Sequence, residues 1–396
     1  MKVKDFFKKS KNRLLAYWYK ATRQSVAIDK NRILFFTFQG KYTCNPKYIC
    51  RRLHQLNSDV KCVWVIFREE DRADFPDYAE TVIFNSEDYY KALYSSKVLV
   101  DNGLNFVKKP IAKKKGQYFI ETMHGSLGIK RIDAASNPNK KRNKRGALCG
   151  EIADYIISNS DFENEVYRSS FWEKTPVLLY GHARNDILIN GKDDVPDGNL
   201  HDKVRDFYGL PHDAKLVLYA PTFAREASKE FDVFDAGLLR ECLTKRFGGE
   251  WYILKRLHPR DARNRKVSAD SGYVLDGNLY TDIQEMMVAI DFAVTDYSSW
   301  IFDYVVTKKP GMIYAPDLEA YQNSTGFYYP ITATPFPLAT DNASVRDIIA
   351  GFDMEKYKEE VDLFLEDKGC VDDGKASERA AEMILNLMND RLPETV

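Results

Sequence analysis

Short apolar runs of strand length recur along the first half of the chain. Each is closed by a polar turn and followed by residues whose apolar positions return at helical spacing: RILFFTFQG, VKCVWVIF, KVLVDNG, QYFIETMHG, DYIISNS and VLLYGHARND. Runs of this kind, alternating with helices, mark a parallel sheet. The rhythm breaks at INGKDDVPDGNL (Ile189 to Leu200), whose Gly, Asp and Pro suit a linker. It restarts with KLVLYAPTF, EWYILKRLHP, GYVLDG, FAVTDYSS and PGMIYAPD. The pattern predicts two doubly wound Rossmann-like α/β domains, residues 25–190 and 191–380, with the linker near 186–200. Two such domains facing each other hold a ligand between them, at the carboxyl ends of the strands. Apolar positions at helical spacing between Ser344 and Leu392 predict a closing helical segment that returns to brace the first domain, with 381–396 as a helix end or tail.

Composition narrows the class. A chain of 396 residues is long enough for two domains, and 44% hydrophobic with 29% charged residues is a globular balance. The six cysteines are scattered, with no C-x-x-C pair and no Cys/His cluster at zinc spacing, which points to reduced thiols and no structural metal. Basic and acidic residues balance at 58 each, yet residues 1–24 hold six Lys and two Arg against one Asp, a net +7. Phe6, Phe7, Leu14, Leu15, Trp18 and Tyr19 interrupt those charges at near-helical spacing, which suits an amphipathic helix lying on an anionic membrane surface; the alternative is a solvated helix packed on the domain. No apolar run reaches the roughly 20 residues of a membrane span. Two further basic runs, KKPIAKKK and NKKRNKR, either extend the same face or form charged loops. Local rather than grooved basicity in a neutral chain argues against nucleic acid.

The polar residues closing the apolar runs carry the candidate chemistry. His124 and Gly125 end QYFIETMHG; His182, Arg184, Asn185 and Asp186 follow VLLYG; Thr222 ends VLYAPT; His258 ends YILKRLH; Asp296, Ser298 and Ser299 end FAVTDYSS. Five strand ends thus converge on one cleft. In TDYSS the two serines could open a helix whose N–H groups attract a phosphate, or Asp296 or Ser298 could be no more than the helix cap. His258 with Lys255 or Arg256 could grip a pyrophosphate, or form only a surface strand and its turn. The chain has no Asp-x-Asp metal clamp, no Walker A loop and no G-x-G-x-x-G.

Taken in order, QGKYTCNPKYI, ETMHGSLGIKRI, YGHARNDIL, LYAPTFARE, LKRLHP and VTDYSSWIFDYVVTKKPGMIYAPDLEAY followed by GFYY resemble the CDP-glycerol glycerophosphotransferase family, which builds teichoic acids and related polymers. The resemblance runs from Phe36 to Tyr329. It implies the GT-B architecture, with an acceptor-side first domain and a CDP-binding second one. The implied reaction moves glycerol phosphate from CDP-glycerol to a hydroxyl of a membrane-linked or cell-surface glycan or polyol phosphate, releasing CMP, at the cytoplasmic face of the membrane. The alternatives are a CDP-ribitol phosphotransferase and a glycosyltransferase using a nucleotide sugar. Carried over, His124 is the general base or orients the acceptor hydroxyl, and either His124 or His182 takes the proton. His182, Arg184, Asn185 and His258 neutralise charge on the departing CMP, and Asp186 positions Arg184. Thr222, Ser298 and Ser299 contact phosphate, with Gly125 and Asp296 in the same donor site. No organic cofactor is implied, and a divalent cation stays open. The sequence departs from the family pattern at Met123, where a Trp is usual, and at Ala224, inserted before Arg225. The short stretch before the first strand suits a priming or single-addition enzyme better than a processive polymerase.

Overall fold

The computed structural model describes residues 14–108, 113–132, 140–191, 199–222, 234–258, 261–262, 266–267 and 271–394. Residues 1–13 of the basic segment, residues 109–112 within KKPIAKKK, Pro259, Ala224 and Arg225 lie outside the described residues.

The apolar runs form two parallel sheets. The first contains β1 (Asp29–Phe36), β2 (Lys61–Ile66), β3 (Ala79–Ile83), β4 (Ser96–Asp101), β5 (Tyr118–Glu121), β6 (Tyr155–Ser158) and β7 (Val177–Leu179), in the order β3-β2-β1-β4-β5-β6-β7. The second contains β8 (Lys215–Tyr219), β9 (Trp251–Lys255), β10 (Val274–Asp276), β11 (Phe292–Thr295), β12 (Gly311–Tyr314) and β13 (Leu338–Ala339), in the order β10-β9-β8-β11-β12-β13. Both are doubly wound, and the direction of winding reverses between β1 and β4 and between β8 and β11. Side-chain amides and carboxylates gather where strands part at such a switch point. β4, β6, β11 and β12 are buried along their whole length because helices cover both faces, so each carries a continuous apolar stretch, VLV, YII, FAV and GMIY.

The two domains form the GT-B arrangement across a cleft, and contacts at several places hold them together. Lys47, on the helix Cys44–Leu56, pairs with Asp282 and Glu285 at the start of the helix Ile283–Ala289. The segment after β5 runs beside the GFYY stretch: Tyr328 N donates to Ile129 O at 2.8 Å, and Tyr329 Oη to Leu127 O. The last helix, Ala376–Met388, crosses back to pack on Cys44–Leu56, and Arg52 pairs with Glu378 there at 2.6 Å. The helix over residues 14–22 lies on the first domain through Tyr19, whose ring stacks on Tyr90 with centroids 5.6 Å apart. Its Leu14, Tyr17 and Trp18 point outward, 71%, 72% and 58% exposed.

Candidate active site

Six strand ends line one open cleft of about 180 Å³. Phe38, Thr43 and Cys44 follow β1, His124 follows β5 and Arg184 follows β7. From the other side come Ala220 and Pro221 after β8, Arg256 to His258 after β9, and Ser298 to Trp300 with Asp303 after β11.

His124 is exposed on the cleft wall. Its Nδ1 meets the Asn102 carbonyl, which can only accept, so Nδ1 carries the proton and Nε2 is the basic nitrogen. The ring lies against Phe38, centroids 5.3 Å apart. The residue before it, Met123, has φ +46°, a left-handed conformation that costs a residue with a Cβ roughly 1–2 kcal/mol. That turn takes His124 off the line of β5 and into the cleft.

The HARND residues lie beneath this loop rather than in front of it. His182 is fully buried: its Nδ1 is 3.2 Å from Asn45 Nδ2, and its Nε2 is 2.9 Å from Glu163 Oε2, off the in-line direction of a hydrogen bond. Burial raises the Glu163 carboxyl, but the adjacent His182 ring brings it below its ordinary value. The Asn45 amide also donates to Thr122 O at 3.0 Å, tying His182 to the His124 loop. Asn185 donates to Asp372, which also accepts from His182 N and Asn159 Nδ2 at 2.7 and 2.8 Å. Two expected roles are therefore corrected. His182 is sealed from the cleft and cannot reach an acceptor hydroxyl. Asp186 does not position Arg184: it accepts from Ala376 N and Ser377 N at 2.9 and 2.7 Å and so caps the last helix. Burial raises its carboxyl to about 6 despite those bonds.

Arg184 is positioned by Asp303. Its Nε and Nη2 form a fork on that carboxylate, both at 2.9 Å, while Nη2 also reaches Gly125 O and Nη1 lies 3.5 Å from Cys44 Sγ. Burial opposes the charge, yet Asp303 keeps the guanidinium well above its ordinary value. A guanidinium engaged in this way fastens the first domain to the second under Gly125, instead of standing ready for phosphate.

In the second domain Thr222 and Asp296 bond to each other: Thr222 N and Oγ1 donate to Asp296 at 2.8 and 2.6 Å. Burial lifts the Asp296 carboxyl, and these bonds offset only part of the rise. Thr222 is thereby turned from the cleft, and neither Asp296 nor Ser298 caps the short helix Ile301–Tyr304, whose preceding residue is Trp300. Trp300 Nε1 donates to Ala220 O at 2.8 Å and locks the loops after β8 and β11 together. Ser298 and Ser299 line the cleft with hydroxyls that have no partner among the described residues. Arg256 points its guanidinium to the carbonyls of Gly277, Tyr280 and Thr281, at 2.6, 2.5 and 3.2 Å. Lys255 lies over the Tyr219 ring at 5.7 Å. His258 faces the cleft, as expected. Among the described residues no group of three His, Cys, Asp or Glu could hold a metal.

Residues that the sequence reading did not single out build much of the site: Thr43, Cys44 and Asn45, Asn102, Glu163, Asp303 and Asp372. The signal for Asp303 and Asn45 was their place inside quoted motifs. Asp372 offered none, lying 190 residues from His182.

The model of the family described as CDP-Glycerol:Poly(glycerophosphate) glycerophosphotransferase matches residues 18–386. A teichoic acid poly(glycerol phosphate) polymerase of Staphylococcus epidermidis is 30% identical over 95% of this chain and 53% of its own length. A teichoic acid glycerol-phosphate transferase of Staphylococcus aureus is 26% identical over 90% of this chain and 93% of its own. The chain thus spans about half the length of the first polymerases it matches and nearly all of the transferase. The solved wall teichoic acid polymerase TagF superposes with a TM-score of 0.81 at 28% identity, covering 98% of this chain and 96% of that one, and a variant of it has been solved after a soak with CDPG. With its strand order, its cleft and a match over nearly its whole length, the chain belongs to the CDP-glycerol:poly(glycerophosphate) glycerophosphotransferase family.

Proposed function

We propose that the chain transfers glycerol phosphate from CDP-glycerol to a hydroxyl of a polyol phosphate or glycan acceptor and releases CMP. The observation that carries this reading is the placement of His124, with Nδ1 held by the Asn102 carbonyl, on the cleft wall opposite the hydroxyls of Ser298 and Ser299 and the ring of His258. The acceptor O–H gives its proton to His124 Nε2 as its oxygen attacks the phosphorus that bears glycerol. The bond from that phosphorus to CMP breaks, and CMP leaves with the electron pair. Ser298, Ser299 and His258 donate to the diphosphate oxygens as charge grows on CMP. In this reading the first domain presents the acceptor and the second holds the CDP end. The outward Leu14, Tyr17 and Trp18 beside Lys20 and Arg23 suit contact with an anionic lipid surface, where a lipid-linked acceptor would be met. No helix among the described residues is long and apolar enough to cross a membrane.

The test is CMP release by purified protein offered CDP-glycerol, CDP-ribitol and UDP-sugars in turn, with a bacterial membrane extract as acceptor. Acceptor-dependent release with CDP-glycerol alone is expected. Release with CDP-ribitol or a UDP-sugar instead would retire the donor assignment.

A further inference from the structure

Below the His124 loop lies a pair of acids with no role in the chemistry above. Asp101 and Glu121 end β4 and β5, sit opposite each other in register, and are both fully buried. Asp101 is well supplied with donors: Gly103 N at 3.0 Å, Asn105 N at 2.6 Å, Phe106 N at 2.9 Å and Asn105 Nδ2 at 2.7 Å. These bonds shape the turn that presents the Asn102 carbonyl to His124 Nδ1. Glu121 is placed differently. Its Oε1 accepts from Met123 N at 3.0 Å, and Cys149 Sγ lies 3.6 Å from Oε2. No salt bridge to either acid occurs among the described residues. A buried carboxyl without a cation is costly, so Glu121 demands an explanation.

We propose that Glu121 is a positioning residue for His124: its carboxyl oxygen holds the Met123 N–H and so keeps Met123 in the left-handed conformation that turns His124 into the cleft. This rests on the reading of His124 as the proton acceptor. The bond spans only two residues and fixes the backbone just where the chain leaves β5. Asn45 secures the same turn from the other side through Thr122 O and Met123 O, at 3.0 and 3.4 Å. Burial, and then the adjacent Asp101, push the Glu121 carboxyl well above its ordinary value, and the bond from Met123 N needs only an accepting oxygen. A Gln has the same shape, the same accepting oxygen and no charge. An Asp is one methylene short of Met123 N.

The experiment compares Glu121→Gln, Glu121→Asp and Glu121→Ala, alone and combined with His124→Ala, by steady-state CMP release, with circular dichroism confirming the fold. A displacement of His124 of about 1 Å predicts a roughly 10²-fold loss of kcat for Glu121→Ala, with KM for CDP-glycerol within about twofold of wild type. Glu121→Gln is expected to keep kcat within about threefold, and Glu121→Asp to fall with the alanine variant. In the His124→Ala background Glu121→Ala should cause no further loss, because both changes remove the same contribution. Equal activity of the Asp and Gln variants would overturn the proposal even if Glu121→Ala does not fold. So would losses that multiply in the double variant. Failure of the underlying reading looks different: His124→Ala would then turn over like wild type. His124→Ala inactive beside a fully active Glu121→Ala would leave that reading standing and remove only the role of Glu121.

Discussion

Removing Asp303 should cost the protein far more stability than an ordinary ion pair contributes. The pair it forms with Arg184 is bidentate, with both N···O distances 2.9 Å, and the two side chains are only 2% and 6% exposed. Exposed pairs contribute about 0–1 kcal/mol because water screens them. Here Asp303→Ala would leave a guanidinium buried with only the Gly125 carbonyl and the Cys44 sulfur, and stranding one partner of a buried pair costs about 3–5 kcal/mol. Removing both partners is different, because Arg184→Met with Asp303→Leu fills the space with apolar atoms and leaves no orphaned charge. That double variant should lie within about 1–2 kcal/mol of wild type. The assay is equilibrium urea unfolding followed by tryptophan fluorescence. With a slope of about 3 kcal/mol/M, a loss of about 4 kcal/mol moves the midpoint by roughly 1.3 M. A shift worth less than about 1 kcal/mol for Asp303→Ala, or losses that simply add in the double variant, would refute the assignment of Arg184 and Asp303 as a buried clasp.

Four further outcomes follow from the same geometry. His124→Ala should lower kcat for CMP release by about 10²–10⁴-fold while the fold, read by circular dichroism, is kept. Arg256→Met should raise KM for CDP-glycerol in the same assay, since this cation meets no carboxylate among the described residues, and an unchanged KM would contradict that role. Burial raises the Glu285 carboxyl, but Lys47 and its other donors hold it down to about 2. Because the folded value lies below the unfolded one, the stability this group provides is complete above about pH 4.5 and is lost as pH falls toward 2, and urea midpoints of Lys47→Met should show a shallower slope across that window. Trp18→Ser with Tyr17→Ser should reduce co-sedimentation with anionic vesicles and leave turnover of a water-soluble acceptor unaltered.

Most strands were legible because both faces of these sheets are covered, which forces continuous apolar runs such as VLLY and FAVT. β3 was not picked out, since AETVI is an edge strand with half-exposed side chains and Glu80 in the middle, and β13 is only two residues long. The cleft was legible for a similar reason: a polar residue just past a buried parallel strand has to lie at the carboxyl edge of the sheet. His124, His258, Ser298 and Ser299 line the cleft where that rule puts them. It could not separate a side chain facing the cleft from one folded beneath it, as His182, Asn185 and Asp186 show. Their orientation is decided by Asp372 and by the N-terminus of the Ala376–Met388 helix, which return from 190 residues further along the chain. Local pattern carries no record of such a distant partner.

The two arginines of the cleft show why that distinction matters for the chemistry. Both line it, and a sequence reading would count both as charge for a diphosphate. Arg184 is cancelled by Asp303 within a bidentate pair, so its field at the cleft is that of a dipole and falls off quickly. Arg256 is solvated by backbone carbonyls and the Met286 sulfur, which satisfy its N–H groups without removing its unit charge. In a cleft walled by Leu257, Ile283 and Trp300 that charge is weakly screened, and at an effective dielectric constant of about 20 a unit charge still contributes roughly 2 kcal/mol at 8 Å. In the proposed reaction Arg256 adds positive potential for the diphosphate from the second domain. In the same proposal the first domain supplies the base, and the Arg184–Asp303 clasp joins the two domains beside it.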